Sequence, residues 1–471
     1  MNFTIVGGGS AGWLSALYLN KLFPNDSVSL IESKDIPIIG VGEATTPHII
    51  TCLDWLNISY KDVIKNTEGT LKNGINFENW NGDNKKYFHG FSIKNELSAF
   101  STQEYLVSLI NNNKSFVDNI YQSQLSYQNK ININNQTFAL HFDANKFASY
   151  LSKIAKQRGV KHIVDNYKYC STDNNGFINK LHCENVSVKT DFVIDCSGFQ
   201  KLFIGSFYKE TWVDYSQHLP MKKALLFPTN ETTEEPYTTA KAMKNGWVFK
   251  IPLQHRMGRG YIFDSHYADE NEIEKELNDT FKDVKPIRVI KFNAGRYQNA
   301  WVKNCIGIGL STNFVEPLES TSIFMSIAQL DLIKSFKHYI KNYAERKINQ
   351  YNELVANNND AILNFIYLHY LTKRNDSLFW KEFQLKNKMP KGLQDTLDDI
   401  KCGCLDKFSL PQKTTSSFGL QSYMYIIEGL EITKNLSNTE AHDFYNGYNI
   451  LKNTVKSYEQ NHKDFLQNLS T

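Results

Sequence analysis

What the chain lacks narrows its class before any motif is read. No apolar run among its 471 residues reaches the ~18 that a membrane-spanning helix requires. The opening stretch, MNFTIVGGGSAGWLSALYL, imitates a secretory leader, but it has no basic start and a run of glycines interrupts its apolar region. A cytoplasmic protein without membrane contact is expected. Cysteine is sparse. The seven, at Cys52, Cys170, Cys183, Cys196, Cys305, Cys402 and Cys404, are odd in number and scattered, which is no disulfide framework. Cys402 and Cys404 form CGC, yet no second cysteine or histidine pair stands at zinc spacing, so free thiols and no metal site are expected. Charge of one sign is missing too. The 52 Lys and Arg against 49 Asp and Glu leave +3, too little to argue for a nucleic acid or an acidic membrane as partner. Neither an internal repeat nor a low-complexity linker breaks the sequence, so its subdomains are expected to interleave.

What is present is the composition of a soluble globular protein, 41 % hydrophobic and 21 % charged, in a chain long enough for two or three joined subdomains. FTIV, residues 3–6, reads as a short buried strand. Gly7-Gly8-Gly9-Ser10-Ala11-Gly12 then fits G-x-G-x-x-G, a helical pattern continues through WLSALYLNKLF, and VSLIE ends a second strand at Glu32. Gly7 permits the tight turn, Gly9 lets backbone N–H groups approach a pyrophosphate, and Gly12 lets helix and strand pack closely. Ser10 and Ala11 open the helix whose N-terminus faces the phosphates, and Glu32 can accept hydrogen bonds from an adenosine ribose. Strand, turn, helix, strand and acidic residue in order point to a dinucleotide. By analogy with folds that begin this way, FAD is favoured over NAD. A second cluster, IIGVGEATTP (38–47), offers Gly40, Gly42 and Ala44 to an isoalloxazine or ribityl chain, with a plain turn as the alternative.

EPLESTSI (316–323) follows the strand-like CIGIGLSTNF (305–314) and places Glu319 against Ser320, Thr321 and Ser322 where a helix is expected to begin. Helix capping is one reading, because the first N–H groups of a helix lack partners. Anion binding by those same N–H groups is the other.

Together with GTLKNGINFENW (69–80), LHFDANKFASYL (140–151), DFVIDCSGFQKLFIG (191–205), GWVFKIPL (246–253) and FIYLHYLTKRNDSLFW (365–380), these blocks resemble the flavin-dependent halogenases of the tryptophan-halogenase type. The resemblance runs in the family's order from residue 3 to about 380; the remainder is less distinctive. It implies that FADH2, supplied by a separate flavin reductase, reacts with O2 to a flavin hydroperoxide. Halide then becomes hypohalous acid and reaches a lysine beside an electron-rich aromatic. Lys72 matches that lysine and Glu319 the catalytic glutamate. Thr321 and Ser322 match the two halide-binding positions, while Leu310, ending the strand IGIGL, and Ile323 match positions against the flavin ring. Chloride and bromide, and iodide where the pocket is roomy enough, are the implied halides.

The departures bear on substrate. Family members acting on free tryptophan commonly carry glycine where this chain has Ser322, so EPLESTSI resembles a broader branch. The family's W-x-W-x-I-P, which keeps substrate from stacking on the flavin, is here Trp247-Val248-Phe249-Lys250-Ile251-Pro252. In GLQSYMYIIEGL (419–430), Tyr423 and Tyr425 stand where the tryptophan-specific enzymes have an aromatic-rich lid, but no tryptophan is present. A phenol, indole or other electron-rich heteroaromatic is expected. The alternative is a single-component aromatic monooxygenase, which shares the glycine motif and DCSGF but has no need of Lys72 or the halide pair. The architecture implied is α/β: a doubly wound, Rossmann-like FAD domain assembled from about 1–50, 140–205 and 300–335, with an interleaved mixed-sheet and helical substrate region completing a core to residue 380. A mainly helical 381–471 covers the substrate. Helix-length apolar patterns at YLVSLI (105–110), SIAQLDLIKSFKHYI (326–340) and 361–371 fit this plan. A homo-oligomer is compatible with it.

Overall fold

The computed structural model describes residues 1–37, 40, 42–91, 109–110, 112–134, 137–282, 284–401, 418–432 and 456–470. The chain divides into two compact units. One is drawn from Met1–Glu68, Phe142–Asp214 and Phe292–Asn359, the other from Gly69–His141, Tyr215–Lys291 and Asp360–Thr471.

The first unit is built on a six-stranded sheet. Its order is Trp301–Val302, Cys305–Gly307, Phe192–Asp195, Asn2–Val6, Ser27–Glu32 and Lys161–Val164. All neighbours are parallel except the first pair. A parallel sheet is covered on both faces, so its strands read as unbroken apolar runs rather than alternations. Phe3, Ile5, Leu30 and Ile194 accordingly have no exposed surface, and Ile5 pairs with both Leu30 and Ile194. Helix Ser10–Leu22 is buried continuously from Gly12 to Leu19, which explains why its sequence shows little amphipathic contrast. Helix Ala144–Gln157 is amphipathic and starts at Asp143, whose carboxylate accepts from the Asn145 and Lys146 amides. Strand order reverses beside Asn2–Val6, and in such sheets ligands bind beyond the carboxyl ends of the strands at that point.

The second unit carries a seven-stranded mixed sheet. Its order is Arg288–Lys291, Lys223–Leu226, Met257–Phe263, Gly246–Pro252, Thr238–Met243, Gly74–Glu78 and Lys86–Gly90. Only Thr238–Met243 with Gly74–Glu78 is parallel. Phe227, Val248, Tyr261 and Phe263 pack one face against Ile273 and Leu277 of helix Glu270–Thr280, which opens with a capping box between Asp269 and Glu272. The C-terminal part is mainly helical where described, at Lys391–Lys401, Leu420–Gly429 and His462–Ser470, with a short strand at Gln460–Asn461. This is the α/β class expected.

The strand expected across CIGIGLSTNF is shorter than its apolar pattern suggested. It ends at Gly307, and Gly309–Ser311 forms a 3-10 turn because Gly309 takes φ +65° and the Ser311 hydroxyl folds back to Ile308. Leu310 therefore lies in a turn, not at a strand end. The apolar stretch 326–340 lies within helix Thr321–Lys341, whereas of 361–371 only the part to Leu368 is helical. Most of YLVSLI, and Cys402 and Cys404, lie outside the described residues; Cys52, Cys170, Cys183, Cys196 and Cys305 are free thiols. Among the described residues no helix is long and apolar enough to cross a membrane.

Candidate active site

In the first unit, three loops gather at the carboxyl ends of the parallel strands. The glycine loop follows Asn2–Val6. Gly7 adopts φ +118°, and a Cβ there would lie 2.1 Å from the Cys196 carbonyl oxygen, so only glycine fits. A Cβ on Gly12 would meet the Gly7 carbonyl oxygen at 1.9 Å, which is the close helix–strand approach the motif requires. Gly9 differs, since a Cβ there would touch nothing within 4 Å. No side chain caps the helix that Ser10 and Ala11 begin. Glu32, at the end of the neighbouring strand, lies over Gly8 and holds the ring of His162 through Oε1 at 2.6 Å. Open space over an uncapped helix N-terminus beside a carboxylate fits the pyrophosphate and ribose of a dinucleotide. Gly42, at φ +151°, precedes Ala44, which is buried in the short strand Glu43–Ala44.

The second loop is organised by Asp195, fully buried at the end of Phe192–Asp195. One carboxylate oxygen accepts from the Ser197 amide (3.0 Å) and hydroxyl (2.5 Å), the other from the Phe203 (2.9 Å) and Ile204 (3.2 Å) amides. Burial nevertheless pushes its pKa up. Its carbonyl accepts from the Ile308 amide and the Ser311 hydroxyl, so this one residue ties the Ser197 loop to the turn carrying Leu310.

The third loop is EPLESTSI. Pro317–Glu319 form a 3-10 turn, Ser320 enters the left-handed region at φ 59°, and helix Thr321–Lys341 begins with no side-chain cap. The capping reading of this motif therefore fails, for a geometric reason. In the left-handed region Ser320 does not take the extended conformation from which a serine hydroxyl reaches back to a helix amide. Thr321 and Ser322 instead line a small recess with Gly309, Leu310, Asn313, Phe314, Val315 and Met325. Glu319 is buried, as is Ile323, which does not line the recess. Gln329, two turns into the helix, locks the arrangement: its Oε1 accepts from the Gly309 amide (2.9 Å) and its Nε2 donates to the Gly307 carbonyl (3.0 Å). Leu310, Thr321 and Ser322 are thus brought together around one space.

In the second unit, Lys72 closes strand Thr70–Lys72 with no exposed surface. The strand pairs antiparallel with Ala139–Phe142, Lys72 opposite Ala139 and Thr70 opposite His141. The Thr70 hydroxyl donates to the Pro252 carbonyl (2.8 Å), so its oxygen accepts from His141 Nδ1–H (2.8 Å), leaving Nε2 to accept from Thr238 (2.9 Å). Burial first, then the Lys72 charge, hold the His141 pKa well below the usual histidine value. Lys72 Nζ lies 5.6 Å from the centre of the Phe91 ring. Trp247 is buried with its indole N–H on the Tyr370 hydroxyl (3.0 Å), and Phe249, two residues along strand Gly246–Pro252, is only half-buried. Tyr423 and Tyr425 lie buried on helix Leu420–Gly429 among Phe365, Phe418 and His89.

Residues 2–444 match the profile of the family described as Tryptophan halogenase. The chain belongs to that family. Among its relatives are tryptophan 7-halogenase KtzQ of Kutzneria sp. (strain 744), 33 % identical over 414 residues that cover 80 % of this chain and 77 % of that one. Tryptophan 7-halogenase RebH of Lentzea aerocolonigenes is 30 % identical over 438 residues, covering 85 % and 81 %. In three dimensions the chain is similar to BrvH, a flavin-dependent halogenase from Brevundimonas sp. BAL3, at 26 % identity and a TM-score of 0.88, with 100 % and 99 % of the two chains covered. The protein is a flavin-dependent halogenase.

For this halogenase, reading the sequence overlooked Asp195, Gln329, His141 and His462. For Asp195, a place at the end of a buried strand directly before Cys-Ser-Gly is a usable signal. The others declare themselves only through tertiary contacts.

Proposed function

We propose that this enzyme halogenates an electron-rich aromatic small molecule of indole or phenol type, not free tryptophan, with FADH2, O2 and chloride or bromide. The supporting observation is the recess at the uncapped start of Thr321–Lys341, because halide needs N–H donors with no side-chain oxygen competing for them. Gly7, Gly9, Ser10, Ala11, Gly12, Glu32, Gly42 and Ala44 hold the dinucleotide, and a separate flavin reductase delivers it reduced. When bound, the reduced cofactor with O2 supplies the two-electron oxidation of halide to hypohalous acid. The amides of Thr321 and Ser322 hold the halide, and Leu310 and Ile323 lie against the flavin ring. Lys72 receives the hypohalous acid, by hydrogen bond or as a haloamine formed with loss of water. Its full burial keeps the oxidant from solvent. The ring attacks halogen, Glu319 takes the displaced aryl proton, and the balance is one aryl halide and one water. Trp247 and Phe249 keep the substrate from stacking on the cofactor. Ser322 and the lack of tryptophan beside Tyr423 and Tyr425 argue against free tryptophan as substrate.

The test is mass spectrometry of a mixed panel of indoles, phenols and free tryptophan incubated with enzyme, FAD, a generic flavin reductase, NADH and each halide in turn. Products with halogen isotope patterns that follow the added halide are expected from the indoles or phenols. A product heavier by one oxygen whatever the halide would establish the monooxygenase instead, and halogenation of tryptophan alone would overturn the substrate assignment.

A further inference from the structure

We propose that His462 is a positioning residue for Lys72, and that it acts as a neutral imidazole. The inference rests on the reading of Lys72 as the group that carries the oxidant. Thr70 and Lys72 use one edge of their strand to pair with Ala139–Phe142, and the Leu71 N–H points away from that partner. It donates to Nε2 of His462 at 3.1 Å, across 391 positions of sequence. The imidazole's other nitrogen, Nδ1, is 2.9 Å from the Glu234 carbonyl oxygen and must carry the proton there. These two partners select one tautomer. A second proton would set N–H against N–H in a site with almost no solvent, and burial pushes the His462 pKa down to about 4.

The imidazole is itself held. The His462 amide donates to the Asn129 carbonyl (3.0 Å), Gln460–Asn461 pairs with Lys130–Ile131, and Phe465 and Leu469 are buried on the helix that His462 begins. The charged groups nearby are matched: Lys463 with Glu234 at 2.8 Å, and Lys130 with Glu459 at 3.2 Å, while Asp464 accepts from Asn461. His141, the other imidazole beside this strand, is neutral as well. With the Asn73 amide on the Pro236 carbonyl (2.7 Å) and Thr70 on Pro252, the backbone on either side of Lys72 is fixed. His462 supplies an anchor that comes from the far end of the chain. A displaced lysine intercepts oxidant poorly, because misplacement of a reacting group by about 1 Å costs as much as 10²-fold.

His462→Leu removes the acceptor, while His462→Gln can restore it, since Oε1 occupies the place of Nε2. His462→Asn is polar but too short to reach the Leu71 N–H, and it tests the same bond if the leucine variant does not fold. Each full-length variant is assayed with FAD, reductase, O2, bromide and an aromatic substrate from the panel. The readouts are halogenated product per O2 consumed, FAD affinity, and amide hydrogen exchange across residues 69–73 without cofactor. Expected for the leucine and asparagine variants is a fall in product per O2 of about tenfold or more, with FAD affinity kept and exchange at 69–73 accelerated. The glutamine variant regains most of the yield. Unchanged yield and exchange in the leucine or asparagine variant, or a glutamine variant no better than either, overturns the proposal. Lys72→Ala run alongside separates the two readings: halogenation surviving there refutes the lysine assignment, whereas its loss beside fully coupled His462 variants refutes only the positioning.

Discussion

The two units hold their candidate chemistry by opposite means. In the unit with the glycine loop and helix Thr321–Lys341, the groups offered to ligands are main-chain amides, exposed by glycine turns and by two helix N-termini that no side chain caps. In the other unit, the group proposed to carry the oxidant is one buried side chain, Lys72, on a strand fixed by hydroxyls, carbonyls and two neutral imidazoles. Backbone can bind an anion because the partial positive charge at a helix start comes with the fold. A buried lysine has no such gift and needs a shell that is polar yet adds no further positive charge.

Four measurements would break or sharpen that contrast. Glu319→Gln comes first: product formation should fall by about 10²-fold or more, since an amide cannot take the aryl proton. The thermal midpoint should hardly move, because helix Thr321–Lys341 has no side-chain cap to lose. Matching losses of activity and stability would restore the capping role.

Gln329→Leu should have the next largest effect. It strands the Gly309 N–H and Gly307 C=O in the core, at a cost of about 1–3 kcal/mol. The turn carrying Leu310 should loosen, raising KM for halide by about tenfold while leaving KM for the aromatic alone. Steady-state titrations of both substrates decide it, and a rise in the aromatic KM only would detach Gln329 from the halide recess.

The third concerns pH. His462 has a folded pKa of about 4 against an ordinary value of 6.5, and His141 is shifted the same way. Between those values the unfolded chain binds protons that the folded one refuses. Stability should therefore be intact above 6.5 and decline as pH falls towards 4, each pKa unit being worth about 1.4 kcal/mol. Denaturant midpoints of wild type and His462→Gln across that window should converge at low pH. Parallel curves would mean that His462 does not titrate as described.

The smallest effect expected is in halide choice. Amides bind an anion by charge and exclude a larger one weakly, whereas bromide gives up electrons more easily than chloride. Equimolar competition should favour brominated product, each ~1.4 kcal/mol of barrier being tenfold in rate. Predominantly chlorinated product would mean that the size of the recess governs.

The same contrast explains what could be read from the sequence. Amide-based sites need particular backbone shapes, and those leave local marks. Gly7 and Gly12 are where a side chain cannot fit, and EPLESTSI spells a turn, a left-handed residue and a helix start in eight letters. Even so, the apolar run CIGIGL misled, because Gly309 and Ser311 turn the chain after Gly307 and apolar content alone does not mark where a strand stops. Around Lys72 the local text was nearly silent. His141 sits two residues from a helix cap and looks like any strand histidine, and His462 lies in the least distinctive part of the chain, 391 positions from the amide it meets. Gln329 was hidden in the same way, as a polar residue in the buried first half of its helix.

The proposed division of labour has halide oxidised at one set of residues and spent through another, Lys72. It is tested most directly by supplying Lys72→Ala with reduced flavin, O2 and bromide, together with the aromatic substrate and a freely diffusing activated phenol that scavenges hypobromous acid. The account predicts bromide-dependent bromination of the scavenger and almost none of the substrate, with flavin binding intact. Substrate brominated at close to the wild-type rate would contradict it.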